Sequence, residues 1–99
     1  MGLKNNFLVC YDVADAKRLR QVFKAMHGFG APLQYSVFHC ALTRQGRVLL
    51  QERLTSLIHS GEDRIMIVDL GPADGRGESC IEFIGQPLTL PRDDDALIV

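Results

Sequence analysis

The carboxylate best placed for metal or acid–base chemistry is Asp12, which closes an apolar run as Tyr11-Asp12. A carboxylate at the end of a strand is held on rigid backbone, and hard divalent cations prefer oxygen ligands. The alternative is that Asp12 caps the following helix or binds turn amides. One carboxylate holds Mg²⁺ poorly, so a metal site requires two copies of Asp12 across a twofold axis, with waters completing the octahedron.

Basic residues recur along two predicted helices. The first carries Lys17, Arg18, Arg20 and Lys24, and Arg44, Arg47 and Arg53 lie on or near the second. Such residues can neutralise phosphates, and a dimer would double the track. Taken alone, the pattern is more typical of a solvated helix face, because exposed helix faces are normally charged.

Cysteine and histidine form no recognisable ligand or triad pattern. The six side chains are Cys10, Cys40, Cys80, His27, His39 and His59. Structural zinc sites use close pairs such as C-x-x-C, which this sequence lacks, so three reduced, buried thiols are predicted. His39 alternates with Val37 and Ala41 and is interpreted as a packed or pH-sensitive interface residue, with proton transfer left open. Ser36 has no sequence-local base, and P-loop and Rossmann glycine patterns are absent, so no nucleotide cofactor is expected.

The length and composition predict one soluble globular domain, since the chain has 99 residues, 46% hydrophobic and 23% charged. No apolar run approaches the roughly 20 residues that span a bilayer, and no signal-like segment precedes the first predicted strand, so a cytoplasmic location is expected. The net charge of −1 conceals an asymmetry: residues 1–64 hold nine Lys and Arg against five Asp and Glu, whereas residues 65–99 hold two against seven. A basic surface and an acidic end are therefore predicted.

Hydrophobic periodicity predicts the elements that carry these residues. Apolar runs indicate strands over residues 7–13, 33–42, 64–70 and 80–84, the second being one strand or two short ones with a bend. Asp15 is the predicted cap of a first helix whose apolar face is Leu19, Val22, Phe23 and Met26. Thr43 is the predicted cap of a second helix, which has Leu50, Leu54, Leu57 and Ile58 on one face and ends at Ser60-Gly61.

This element order predicts a ferredoxin-like α+β sandwich, βαββαβ, with both helices on one face of the sheet. Residues 1–84 are assigned to the domain, and residues 85–99 to a C-terminal extension with a short strand at 88–90 and an acidic tail. The other sheet face needs cover, so a homodimer through sheet faces or an added C-terminal strand is expected.

Several segments together resemble one protein family. They are Tyr11-Asp12-Val13, Arg18-Leu19-Arg20-Gln21-Val22, Gly30 and above all Gln34-Tyr35-Ser36-Val37-Phe38. In order and spacing, residues 5–84 resemble the CRISPR-associated Cas2 family, the smaller of the two core spacer-acquisition proteins. The strand-end Y-D and the Q-x-S-V-F some twenty residues later are specific as a pair, whereas either alone is weak.

The resemblance implies a ferredoxin-like homodimer at the centre of the spacer-integrating complex, and metal-dependent phosphodiester hydrolysis on RNA or DNA in some members. It implies that Asp12 coordinates Mg²⁺ or Mn²⁺ opposite the partner's Asp12, while Ser36 and Phe38 shape the catalytic site. It also implies that Arg18 and Arg20 contact nucleic-acid backbone or support activity. A basic residue that commonly precedes the Gln is absent from Ala31-Pro32-Leu33, and His39 replaces an acidic residue. These departures bear on cleavage more than on fold.

Three functions therefore stay open from the sequence. The first is a nuclease dimer that shares a divalent cation between two Asp12 carboxylates, which would polarise a phosphoryl oxygen. The second is a non-catalytic dimer that bridges DNA and the larger core integrase protein, with Lys17, Arg18, Arg20 and Lys24 on phosphates. The third is a ligand-sensing dimer of the same fold.

Overall fold

The computed structural model describes residues 3–75 and 78–86. Its elements are β1 (Asn5–Asp12), α1 (Ala16–Met26), β2 (Ala31–Gln34), β3 (Val37–Leu42), α2 (Arg44–Leu57), β4 (Arg64–Pro72) and a 3₁₀ turn at Glu78–Cys80. The four strands form one antiparallel sheet in the order β2-β3-β1-β4. This is the predicted ferredoxin-like α+β architecture.

The core lies between the helices and one face of the sheet. Alternate residues of β1, namely Phe7, Val9 and Tyr11, are buried there against the apolar stripes of both helices. From β3 the same face receives Phe38, Cys40 and Leu42, and the helices contribute Val22, Met26, Leu50 and Leu54. The intervening residues of β1 point to the opposite face, so Asp12 lies on the side of the sheet away from the helices.

Both predicted helix caps are confirmed. The Asp15 carboxylate accepts a hydrogen bond from the backbone N–H of Arg18 at 2.9 Å. The Thr43 hydroxyl accepts from the N–H of Gly46 at 3.1 Å. Each cap satisfies a donor that a helix start leaves without an intrahelical partner.

Residues 33–42 form two strands, because the two-residue turn Tyr35-Ser36 separates β2 from β3. No non-glycine residue in the described segments has a positive φ, so this turn is not of the primed type that matches strand twist. A register shift between Pro32 and Gln34 accompanies it.

Three boundary predictions need correction. The second helix ends at Leu57, before Ser60-Gly61, and β4 continues past residue 70 to Pro72. The strand predicted over residues 80–84 is wrong: Glu78–Cys80 is a 3₁₀ turn and residues 81–84 have no regular structure. A short apolar run becomes a strand only where a neighbouring edge pairs with it, and among the described residues none does. The short strand predicted at 88–90 lies outside the described residues.

The three thiols are unpaired but differ in burial. Cys40 is buried, Cys10 is half-buried and Cys80 is exposed, so the prediction of three buried thiols was wrong for Cys80. Burial raises the pKa of Cys40 to about 12 and also raises that of Cys10. Within the described residues, neither helix is long and apolar enough to cross a bilayer.

We predict that Gly30→Ala strongly destabilises the fold. A Cβ at residue 30 would overlap the backbone carbonyl of His39 and lie 2.7 Å from the Cys40 Sγ, and the backbone of a central strand cannot yield cheaply. Thermal unfolding should show a melting temperature lower by roughly 10 °C or more.

Gly46→Ala is the matched control, because a Cβ there would make ordinary contacts of 3.4 Å and 3.6 Å with Thr43 and Leu42. Its melting temperature should be unchanged or higher, since Ala favours a helix by up to about 1 kcal/mol over Gly. Equal melting temperatures for Gly30→Ala and wild type would contradict the close packing of Gly30 on β3.

Candidate functional site

Asp12 is the last residue of β1, and its side chain is exposed. In the β1–β4 register its partner is Arg64, the first residue of β4, which is also exposed. Directly opposed residues of an antiparallel pair project from the same face, with Cβ atoms about 5 Å apart. One anionic and one cationic side chain therefore stand side by side at this end of the sheet.

The two structural tasks that could have occupied Asp12 are performed by other carboxylates. Asp15 caps α1, and Asp63 accepts a hydrogen bond at 2.9 Å from the turn amide of Ala14. The Asp12 carboxylate forms no hydrogen bond or ion pair with any residue in segments 3–75 and 78–86. The capping alternative is thus wrong, and the Asp12 carboxylate is available to an external ligand.

Ser36 lies beside this strand end, whereas Phe38 does not reach the surface. The Ser36 carbonyl accepts a hydrogen bond from the N–H of Tyr11 at 3.1 Å, which ties the β2–β3 turn to the residue before Asp12. Phe38 is wholly buried, with its ring centroid 5.7 Å from that of Phe23 and 5.1 Å from that of His27. Phe38 therefore contributes packing beneath this strand end, and its predicted role in shaping the catalytic site stays a prediction.

Tyr11 also anchors the β2–β3 turn through its side chain. Its phenol donates a hydrogen bond to the carbonyl of Tyr35 at 3.1 Å. Burial, with a smaller contribution from Tyr35, raises the pKa of Tyr11 to about 12, so this donor stays protonated at neutral pH. Backbone and side chain of Tyr11 thus hold both residues of the turn next to Asp12.

Arg18 is engaged within the chain, and its predicted role on nucleic acid stays a prediction. Its Nε donates to the Asp63 carboxylate at 2.9 Å and its Nη2 to the same carboxylate at 3.2 Å. Nη2 also donates to Glu62 at 3.0 Å. The Asp63 side chain is fully buried and additionally accepts the N–H of His59 at 2.8 Å. We call this arrangement of Arg18 and Asp63 the Arg18–Asp63 clamp.

The other predicted cations of α1 are differently placed. Lys17, Arg20 and Lys24 are exposed and form no ion pair with the part of the chain that the structure describes. They lie three or four residues apart and therefore line one side of the helix. On α2, the Arg47 guanidinium carbon lies 5.9 Å from the centre of the Phe7 ring, and the guanidinium donates to Gln51.

The sequence and the fold are similar to those of characterised proteins. Residues 5–75 match the family model described as CRISPR associated protein Cas2. The chain is 39% identical over 72 residues to the CRISPR-associated endoribonuclease Cas2 of Geobacter sulfurreducens, and the aligned segment covers 73% of this chain and 76% of the relative. It is 47% identical over 68 residues to such a protein of Rhodospirillum rubrum, which covers 69% of this chain and 67% of the relative.

A crystal structure of Streptococcus pyogenes Cas2 superposes with a TM-score of 0.69 at 32% identity, covering 81% of this chain and 99% of that one. A hypothetical protein of Thermus thermophilus, TT1823, superposes with a TM-score of 0.71 at 29% identity, covering 86% and 96% of the two chains. The chain belongs to the CRISPR-associated Cas2 family. The resemblance drawn from its motifs is therefore confirmed.

The Asp12 end of the sheet offers one carboxylate per chain to a divalent cation, and a second copy of the chain would offer another. Among the described residues, no three His, Cys, Asp or Glu side chains converge on one point. A hard cation can be held by one or two carboxylates plus water, and Asp12 supplies one carboxylate without a competing partner. His39 is not such a ligand, because it is 8% exposed and its Nε2 lies 3.0 Å from the Asn6 side-chain oxygen.

Two functionally placed residues escaped the sequence interpretation. Arg64 was assigned only to a strand, and its position opposite Asp12 depends on the β1–β4 register, which pairs residues 52 positions apart. Asp63 lies in the loop before β4, and nothing local distinguishes it from a solvated carboxylate. A usable signal for Asp63 was its place immediately before a strand that starts at the same sheet end as Asp12.

We predict that Asp63→Asn destabilises the protein at neutral pH, lowering the melting temperature by roughly 5–10 °C, because the clamp loses its charge-assisted hydrogen bonds. Arg18 hydrogen bonds and the His59 and Ala14 amides hold the pKa of Asp63 far below its usual range. The stabilisation is therefore complete above the unfolded pKa of about 3.9 and is lost as the pH falls below it.

The measurement is thermal unfolding of wild type and Asp63→Asn between pH 3 and pH 7 at one protein concentration. The gap between the two melting temperatures should narrow below pH 4. Asp74→Asn, which changes an exposed carboxylate in a turn, is the control and should track the wild type. A gap that stays constant with pH would disprove the ionised state of Asp63 as its cause.

Proposed function

We propose that this chain is a CRISPR adaptation protein that acts as a homodimer on nucleic acid and hydrolyses phosphodiester bonds with a divalent cation, Mg²⁺ or Mn²⁺, held between two Asp12 carboxylates. The observation that carries the proposal is Asp12, exposed at the rigid end of a central strand, whose carboxylate has no partner among the residues that the structure describes. The printed names of the relatives, CRISPR-associated endoribonuclease Cas2, support the reaction class.

Dimerisation is supported by the sheet face that carries no helix. On β4, Met66 is 55% exposed and Val68 is 37% exposed, and both project from this face. Leu8 and Cys10 of β1 are half-buried beside them. A second copy packed on this face would remove apolar surface from water and bring two Asp12 strand ends into one interface.

The chain's own residues have distinct tasks in this scheme. Asp12 holds the cation, which when bound would neutralise phosphoryl charge and acidify an attacking water. Arg64 offers its guanidinium to a phosphate oxygen next to Asp12. Ser36 keeps the β2–β3 turn against β1, and the Arg18–Asp63 clamp holds the loop that follows Asp12. Lys17, Arg20 and Lys24 would follow the backbone beyond the scissile bond.

A second function is favoured by the exposed cations of α1, which have no ion-pair partner within the described segments. Lys17, Arg20 and Lys24 form a basic track that needs no cleavage to be useful. A Cas2 dimer could bridge DNA with these residues and dock the larger core integrase protein through the extension at residues 85–99. The two functions share the dimer and differ in their dependence on Asp12.

We predict that Asp12→Asn lowers the rate of metal-dependent cleavage of RNA or DNA about 100-fold or more, because the neutral amide is a poor ligand for a hard cation. EDTA should abolish wild-type cleavage. Cleavage with Mg²⁺ or Mn²⁺ and integration of a spacer should be measured on the same preparations, with dimer formation followed by light scattering.

Asp74→Asn is the matched control and should cleave at the wild-type rate. Loss of cleavage with integration intact would make catalysis incidental and leave the bridging function, whereas equal loss of both would make Asp12 central. Wild-type cleavage by a folded, dimeric Asp12→Asn variant would refute the catalytic assignment.

We predict that Arg20→Ala combined with Lys24→Ala weakens nucleic-acid binding and flattens its salt dependence. Each lost phosphate contact should reduce the slope of log affinity against log salt by about 0.9 for duplex DNA or about 0.7 for a single strand. Titrations between 50 and 200 mM salt measure this. Gln21→Ala, an exposed change of an uncharged residue on α1, is the control. An unchanged slope in the double variant would remove α1 from the interface.

A further inference from the structure

Tyr35 is an aromatic residue that the fold presents to solvent instead of burying. Its side chain is 65% exposed, in the turn between β2 and β3. Phe38, three residues later, is wholly buried, so this short segment directs one ring inward and one outward. An exposed ring needs an explanation only when it is held in place, and Tyr35 is held.

One contact holds the ring of Tyr35 and another holds its backbone. One of its faces is stacked on Phe23 of α1, with ring centroids 5.6 Å apart and an angle of 25° between the planes. Its backbone carbonyl accepts the hydrogen bond from the Tyr11 phenol. A flat aromatic group with one supported face and one solvated face loses little rotamer freedom when a second planar group stacks on it.

The residues around the Tyr35 ring indicate which kind of planar group would stack on it. Arg20 and Lys24 flank Phe23 on α1, three residues before it and one after it, and both are exposed without an ion partner in the described segments. An aromatic face beside unpaired cations is the combination that binds single-stranded nucleic acid, with the base on the ring and phosphates at the cations. In a duplex, base faces are hidden in the stack, so the ligand is an unpaired base.

We propose that Tyr35 is a stacking platform for one unpaired nucleobase of a single strand whose backbone follows Arg20 and Lys24. The inference rests on the proposed nucleic-acid function and deepens it by assigning a base contact next to the Asp12 end of the sheet. Because Tyr11 joins the Tyr35-Ser36 turn to the residue before Asp12, a base stacked on Tyr35 fixes the register of the strand relative to that carboxylate. Stacking on Tyr35 should accept any of the bases, since every base has a π face.

The test measures binding of two single-stranded oligonucleotides that differ only at one position, a base in one and an abasic site in the other. Tyr35→Ala should weaken binding of the base-containing strand about tenfold, and the abasic strand much less. Tyr35→Leu keeps apolar cover over Phe23 and should show the same selective loss. Tyr35→Phe keeps the ring and should bind as the wild type does. Gln34→Ala, an exposed change in the same hairpin, is the control.

A 2-aminopurine at the variable position gives an independent readout, since its fluorescence should be quenched by the wild type and by Tyr35→Phe but not by Tyr35→Leu. Equal losses on both strands, or no loss, would overturn the platform while leaving nucleic-acid binding intact. Failure of the wild-type protein to bind any oligonucleotide would overturn the proposed function together with this inference.

Discussion

The buried carboxylate of Asp63 is the interaction on which the geometry of the proposed site depends. It accepts the amides of Ala14 and His59 and two donors of Arg18, so it joins the loop after β1, the first turn of α1 and the loop before β4. Those two loops flank Asp12 and Arg64 on their neighbouring strands. A buried carboxylate with fewer donors would be costly, and this one is saturated, which makes the junction rigid.

Three aspartates at this end of the molecule have the same chemistry and different tasks. Asp15 caps a helix, Asp63 organises two loops, and Asp12 is left without a partner among the described residues. The first two accept nearby backbone N–H groups, Asp15 that of Arg18 and Asp63 those of Ala14 and His59. That the Asp12 carboxylate has no partner among the described residues could not be derived from the residue type or the position alone.

Features that depend on residues close together in the sequence were predicted, whereas features that depend on residues far apart in the sequence were missed. The caps at Asp15 and Thr43 and the apolar faces of both helices depend on residues three or four positions apart, and these predictions are confirmed. The ion pair of Arg18 with Asp63 was not predicted, because the two residues lie 45 positions apart. The complete burial of Phe38 was not predicted, because motif membership does not indicate which face of a strand is buried. The strand at 80–84 failed because pairing, and not the apolar run, creates a strand.

The two departures of this chain from the family pattern, His39 and the missing basic residue before Gln34, both lie away from Asp12 in the structure. His39 pairs in register with Leu8, four residues before Asp12, which is roughly 13 Å along an extended strand, and it is buried against Asn6. The missing basic residue would lie on β2, which β3 separates from β1. The cation adjacent to Asp12 is instead Arg64, on the strand at the other side of β1. Positive charge beside the carboxylate is thus retained from a different strand, so the absence of a basic residue before Gln34 is no argument against phosphodiester chemistry at Asp12.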